Sequence, residues 1–387
     1  MKSVNYEELK QFRRILHSNP EISGMEKETS ARIIEFLKKC EPNEIITGIG
    51  GYGIVATWDS GINGEEIAFR SELDALPIEE INEFDHKSVK AGASHKCGHD
   101  GHSTILCGLA QWLSINKIQR GKVKLIFQPA EENGEGARAM LVDEKFESVK
   151  PDFIFALHNL PGYPLSEVVI KDNIFTAAVN SIIINLYGKT SHAAEPEHGI
   201  NPALAVSDIL RESMLMENNR PEKEDMRVIT PVYVELGEKA YGISAGKASV
   251  HFTIRCWNDQ NLRQLEQDIE QLAVKTAQKH GLKVKFEYTQ TFHANLNDVS
   301  ATNMVRAAAA SKKYTITERT YPFKWGEDFG LFTSLYKGCM FGLGAGENLP
   351  ALHNPDYDFP DELIETGVNL FSGIVEGIVN DKIRKNV

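Results

Sequence analysis

The chain has 387 residues, of which 42% are hydrophobic and 25% charged, with a formal net charge of −12. That is ordinary for a globular protein and enough for two domains with a large core. The acidic balance, with no basic run or aromatic–basic interleaving, argues against nucleic acid and against an anionic membrane surface as partners.

Residues 5–17 read as an amphipathic helix with Leu9, Phe12, Ile15 and Leu16 on one face, ended by Asn19-Pro20. A second helix is expected from Glu26 to Lys39. Strand-like runs follow at Gly53–Trp58 and Ile67–Arg70, the latter leading into Ser71-Glu72-Leu73-Asp74. After a Cys/His-rich stretch comes a helix from His102 to Asn116. A strand at Lys122–Phe127 runs into Gln128-Pro129-Ala130-Glu131-Glu132, and another at Asp152–Leu157 ends at His158-Asn159. Asp74, Glu131, Glu132 and His158 thus fall just past strand ends. Helices alternate with these strands, which predicts an α/β fold with a mainly parallel sheet, whose ligand crevice lies outside the strand carboxyl ends.

From Thr176 the texture changes. Strands at 180–187, 227–236, 248–257 and 282–288 and helices at 201–217 and 261–280 follow in the order βαββαβ, that of a ferredoxin-like α+β unit. It reads as an insertion over 176–292, dividing a domain made of 1–175 and 293–387. The earlier style resumes at Gly338–Gly344, followed by Ala351-Leu352-His353-Asn354-Pro355, and Pro360 to Arg384 closes the chain as an amphipathic helix.

The stretch Ser94-His95-Lys96-Cys97-Gly98-His99-Asp100-Gly101-His102 packs one thiol, three imidazoles and a carboxylate into nine residues. Thiolate and imidazole are good ligands for a borderline-soft divalent ion. No Cys₂ or Cys₄ cage is near, so the remaining ligands come from afar, as in a catalytic site built by the fold. The candidates are Cys97, His99, Glu132, His158 and His353. A paired-metal site, with ions roughly 3.5–4 Å apart, polarises a carbonyl and activates water. Glu131 is either its proton carrier or a solvated carboxylate; both Glu131 and Glu132 reach one site only if the backbone turns there. His102 supports the ligands from behind or simply starts a helix, and His95 reads as solvated. His17, His86, His198, His251, His280 and His293 show no clustering. His192, on a turn of small residues in the inserted unit, suits a donor to a substrate carbonyl. The start, Met1 to Tyr6, has no apolar h-region, and no 18-residue apolar run follows. The five cysteines are odd in number and scattered, which fits reduced thiols in a cytoplasmic protein.

Together these stretches resemble the two-metal aminoacylase and carboxypeptidase family of metallopeptidases, in its amidohydrolase branch. The matching segments run from Leu16–Glu21 through Phe69–Pro77, Cys97–His102, Phe127–Glu132, His158-Asn159, Gly188–Ala194 and Gly326–Phe329 to Leu352–Pro355. The resemblance implies a zinc-peptidase-like catalytic domain and an inserted lid that makes a homodimer or higher oligomer. It implies that Cys97, His99, Glu132, His158 and His353 hold two divalent ions, zinc or manganese, with cobalt or nickel as alternatives. Glu131 becomes the general base and then acid, His192 contacts the reacting carbonyl, and Asp74 orients a ligand. The region before the strand ending in Arg255 helps shape the site around the substrate carboxylate, with Arg255 itself on the substrate side. Two departures bear on substrate: Tyr241–Lys247 replaces a common Asn-x-Ile-Pro turn, and Trp325 stands where a small residue is usual. The implied reaction is hydrolysis of the amide of a small N-acyl amino acid by metal-activated water. The alternatives are a dipeptidase or carboxypeptidase on the same site, and a non-catalytic metal-binding protein.

Overall fold

The computed structural model describes residues 3–379. They form two compact units: one holds the chain up to Phe175, Asn295–Thr320 and the chain from Glu327, the other Thr176–Ala294 and Tyr321–Gly326.

The first unit is built on an eight-stranded sheet. Its strands lie in the order Glu44–Ile49, Gly53–Asp59, Lys122–Gln128, Glu66–Glu72, Phe153–Pro161, Lys337–Gly346, Val168–Ile170, Ile316–Glu318. The central strands, from Lys122–Gln128 to Lys337–Gly346, are parallel to one another. They are buried along most of their length because both faces are covered. The sheet as a whole is mixed but, as expected, more parallel than not: four of its seven neighbouring pairs are parallel and three antiparallel. Glu44–Ile49 turns back on Gly53–Asp59 through Gly50 and Gly51, and so short a connection can only join antiparallel strands. Val168–Ile170, too short to carry a clear apolar signal, runs antiparallel to Lys337–Gly346.

Helices His99–Ile115 and Glu362–Ile378 bury residues all round rather than along one stripe. They meet closely at Gly108, where a Cβ would stand 2.4 Å from Val368 Cγ2. The last helix starts at Glu362; its expected continuation over 380–384 lies outside the described residues. Among the described residues no helix is long and apolar enough to cross a membrane.

The second unit is a four-stranded antiparallel sheet in the order Arg227–Leu236, Lys247–Cys256, Ala178–Tyr187, Lys283–Phe292. Helices Ala203–Met214 and Asp259–Lys279 complete a split βαβ arrangement. Leu262, Leu265, Ile269 and Ala273, spaced at helical period, bury against Ile182, Ile184, Phe252 and Ile254. Tyr321–Gly326 returns to this unit because Ala177 N–H donates to Phe323 O at 3.0 Å and Arg255 Nη1 donates to Lys324 O at 2.8 Å.

Candidate active site

The parallel strands of the first unit deliver their polar exits to one edge. Asp74 follows the strand Glu66–Glu72, and Glu131 and Glu132 follow Lys122–Gln128. His158 and Asn159 pair with Gly342 and Leu343, ahead of the last pairs at Leu160 and Pro161, and so lie within the strand Phe153–Pro161 rather than beyond it. The turn that brings both glutamates to one side is real: Ala130 adopts φ 53°, a left-handed conformation. A non-glycine residue held there is strained, and such strain collects at functional sites.

The loop Ser94–Gly98 runs into helix His99–Ile115 through Gly98 at φ 96°. A Cβ on Gly98 would stand 2.5 Å from Asn159 Oδ1, so glycine is needed for both conformation and space. Beyond that turn Cys97 Sγ is 3.5 Å from His158 Nε2. His99 Nε2 is 3.8 Å from Glu132 Oε1 and 3.9 Å from Glu131 Oε2. Glu132 Oε2 is 3.7 Å from His353 Nε2. His353 is itself left-handed at φ 66°, and its N–H donates to Lys96 O at 2.8 Å, tying it to the cysteine loop. Among the described residues five groups have donor atoms within 4.8 Å of one another: Glu72–His99–His102, His99–Glu131–Glu132, Glu131–Glu327–Asp328, and two triads that share Cys97, Cys97–His99–His158 and Cys97–Glu132–His353. His353 is half exposed and Cys97, His99 and His158 are buried, so the site opens on the His353 side.

These donors fit a divalent cation on two counts. His99 Nε2 and Glu132 Oε1 are buried without a hydrogen-bond partner, which is costly unless something fills the gap between them. The charges also press the acids toward their neutral forms. Burial, then the Glu132 and Glu131 carboxylates, push the Cys97 thiol well up. Burial, then Glu327 and Glu132, push Glu131 well up, and burial brings Glu132 to about 7. Against burial, the Asp74 hydrogen bond and the Glu72 and Glu132 carboxylates raise His99 to about 10. A site that draws protons onto its acids in this way is short of positive charge, which a divalent ion supplies.

Each donor is held from behind. His99 Nδ1 lies 2.9 Å from Asp74 O and 3.3 Å from Asp74 Oδ1, which fixes Nε2 as the free nitrogen. His158 Nδ1 donates to Asn159 O at 2.9 Å. His102 stands beside the donor set with both nitrogens engaged: Nδ1 donates to Glu72 Oε2 at 2.7 Å, and Nε2 meets the Asn159 side chain, whose Nδ2 reaches Tyr357 Oη. Glu131 sits beside Glu327 and Asp328. The wholly buried Arg70 balances that cluster by pairing with Glu72, with Glu327 at 3.0 Å and with Asp328 at 2.5 Å.

Glu72, Asn159, Arg70 and Glu327 carried no role in the sequence reading. The available signal was that each lies in or one residue beside a quoted motif. His17 and His95 were misjudged. His17 is buried, 2.9 Å from Asp100 Oδ2 and 3.0 Å from Glu80 Oε1, and His95 is buried rather than solvated. Partners 63 and 83 residues away leave no trace in local spacing.

His192 and Arg255 belong to the second unit. Ser191–His192 pairs with Ile243–Ser244, so the divergent segment Tyr241–Lys247 is what braces His192. His192 Nδ1 accepts the Ala194 N–H at 3.0 Å, which places the ring proton on the exposed Nε2 and makes that atom a donor. Arg255 is anchored on Lys324 O.

Comparison with known proteins agrees with this chemistry. The chain is 27% identical over 369 residues to the hippurate hydrolase of Campylobacter jejuni, covering 94% of this chain and 95% of that protein. It is 30% identical over 382 residues to the N-acetyldiaminopimelate deacetylase of Bacillus velezensis, covering 97% and 99%. The crystal structure of the Bacillus subtilis YXEP protein, a dinuclear metal binding peptidase, superposes with a TM-score of 0.82 at 26% identity, covering 97% of this chain and 98% of that one. Residues 68–377, which include the whole donor set and Glu131, match the sequence pattern of one family. The chain is a metal-dependent hydrolase of amide bonds and belongs to peptidase family M20/M25/M40.

Proposed function

We propose that the chain deacylates N-acyl amino acids, releasing a carboxylate and a free amine, with two divalent cations in the shared-cysteine site. Cys97, His99 and His158 would hold one, and Cys97, Glu132 and His353 the other. When bound, such ions supply Lewis acidity for the scissile carbonyl and acidity for water. The dinuclear description of the Bacillus subtilis relative supports the pair. The mixed thiolate, imidazole and carboxylate set suits zinc or manganese, with cobalt or nickel as substitutes.

The observation that carries the reading is Glu131. It is a buried carboxylate, 3.9 Å from His99 Nε2, that belongs to neither triad sharing Cys97. In the ionised form it takes beside bound cations, it removes a proton from the attacking water and returns it to the leaving nitrogen. His192 is assigned as donor to the reacting carbonyl through its free Nε2–H. Arg255 is assigned to the substrate carboxylate side.

The acyl-amino-acid class rests on the named relatives, a hippurate hydrolase and deacetylases of N-acetyldiaminopimelate. The domain roles expected from the sequence form part of the proposal: a catalytic domain, and an inserted lid that forms a homodimer. The exposed Val232, Tyr233, Val234 and Leu236 on the edge strand Arg227–Leu236 support the second. Five free, buried cysteines suit the cytoplasm.

The test is a screen of the metal-reconstituted protein against N-acetyl, N-benzoyl and long-chain acyl amino acids beside unblocked dipeptides. Turnover of one acyl class is expected. Turnover of dipeptides alone would replace this reading with a dipeptidase.

A further inference from the structure

Glu26 is wholly buried and belongs to neither triad sharing Cys97. Its Oε1 accepts two backbone N–H groups, Gly24 and Ala130, each at 2.8 Å. Ala130 lies 104 residues away and is the left-handed residue that turns the chain into Glu131 and Glu132. That conformation is strained for a residue with a Cβ, so something must hold it. In extended backbone Glu131 and Glu132 would face opposite sides. On the far side of Glu131, the Glu132 N–H donates to Asp74 Oδ2 at 3.0 Å, and the same oxygen accepts Ser23 Oγ at 2.7 Å. One loop, residues 23–26, therefore braces the amides on both sides of Glu131. Ala130 O accepts Gly136 N–H at 2.9 Å, which closes the turn from the other end.

We propose that Glu26 is a positioning residue whose carboxylate holds the Ala130 amide in its strained turn and so aims Glu131 and Glu132 into one site. The proposal rests on the reading of Glu132 as a metal ligand and Glu131 as the proton carrier. It makes a demand that a merely stabilising carboxylate would not. Glycine adopts φ > 0 at no steric cost, so glycine at position 130 should make the brace dispensable.

The experiment measures cobalt(II) affinity by calorimetry for the full-length wild type, Glu26→Ala, Ala130→Gly and the double variant. Turnover of an N-acetyl amino acid is followed in parallel. Loss of a group that supports a ligand typically weakens metal binding ~10–100-fold. Glu26→Ala is expected to show a loss of that size and a lower kcat, and adding Ala130→Gly is expected to recover most of both. Wild-type affinity in Glu26→Ala would overturn the proposal, as would a double variant no better than Glu26→Ala. Should Glu26→Ala not fold, Glu26→Asp, which keeps the charge but withdraws the oxygen by one methylene, takes its place. A wild type that binds cobalt but cleaves no N-acyl amino acid would defeat the proposed substrate class while leaving the affinity comparison intact.

Discussion

Nε2 of His99 faces Oε1 of Glu132 across 3.8 Å, and neither atom has a hydrogen-bond partner. The gap is too long for a hydrogen bond and too dry to be left open at no cost. Cations held as proposed, one on His99 and the other on Glu132, would satisfy both atoms. Anything that binds the folded state alone adds RT ln(1 + [L]/Kd) to its stability, about 2.7 kcal/mol at one hundred times Kd. Stripping the protein with a chelator is therefore expected to lower its melting temperature by several degrees, and zinc or manganese should restore it. Scanning calorimetry on the three samples checks this. Identical melting temperatures would speak against cations on these two side chains.

A second expectation concerns Gly98. Its φ of 96° and the 2.5 Å approach of Asn159 Oδ1 leave no room for a side chain. Gly98→Ala should cost about 1–3 kcal/mol of stability, the usual size for a non-glycine residue forced into such a conformation. Because Cys97 precedes the turn, metal affinity should fall as well. Denaturant unfolding of the chelated protein, with metal titration of the folded one, separates the two effects.

The buried His17 gives a third. Against burial, the Asp100 hydrogen bond and charge raise it to about 9 from the ordinary 6.5. The native state thus favours the protonated ring. Its contribution is complete below about pH 6.5 and is lost as pH rises through 9. Glu80 works in the opposite sense. Against burial, its bonds to His17 and Lys96 lower it to about 2, so its contribution is complete above about pH 4.5 and is lost as pH falls toward 2. Melting temperature against pH, recorded on chelated protein, should plateau between about pH 4.5 and 6.5. In His17→Gln the alkaline decline should flatten; an unchanged decline would mean that another group causes it.

Much of the site was legible in the sequence because its donors sit at strand exits or in one dense stretch. Cys97, His99, Glu132, His158 and His353 were named as candidates from residue type and placement, and the fold brings them together. Strand alternation lets Glu131 and Glu132 share one site only if the chain turns there, and the left-handed Ala130 supplies that turn. What escaped was long-range. No local pattern joins Glu26 to Ala130, His17 to Glu80, or His102 to Glu72, since each pair meets only when distant elements pack. The antiparallel edge of the large sheet escaped for a related reason. Glu44–Ile49 is largely exposed and Val168–Ile170 has three residues, so neither carries the apolar run that marked the central strands.

The central claim is that Glu131 moves the proton while other side chains hold the metal. It is tested most directly in Glu131→Gln, by measuring bound metal and turnover on the same sample. Removal of general acid–base catalysis typically costs about 10²–10⁴-fold in rate. Metal content equal to that of the wild type is expected, with a loss of turnover of that size or more. Near-wild-type turnover at full metal content would contradict it.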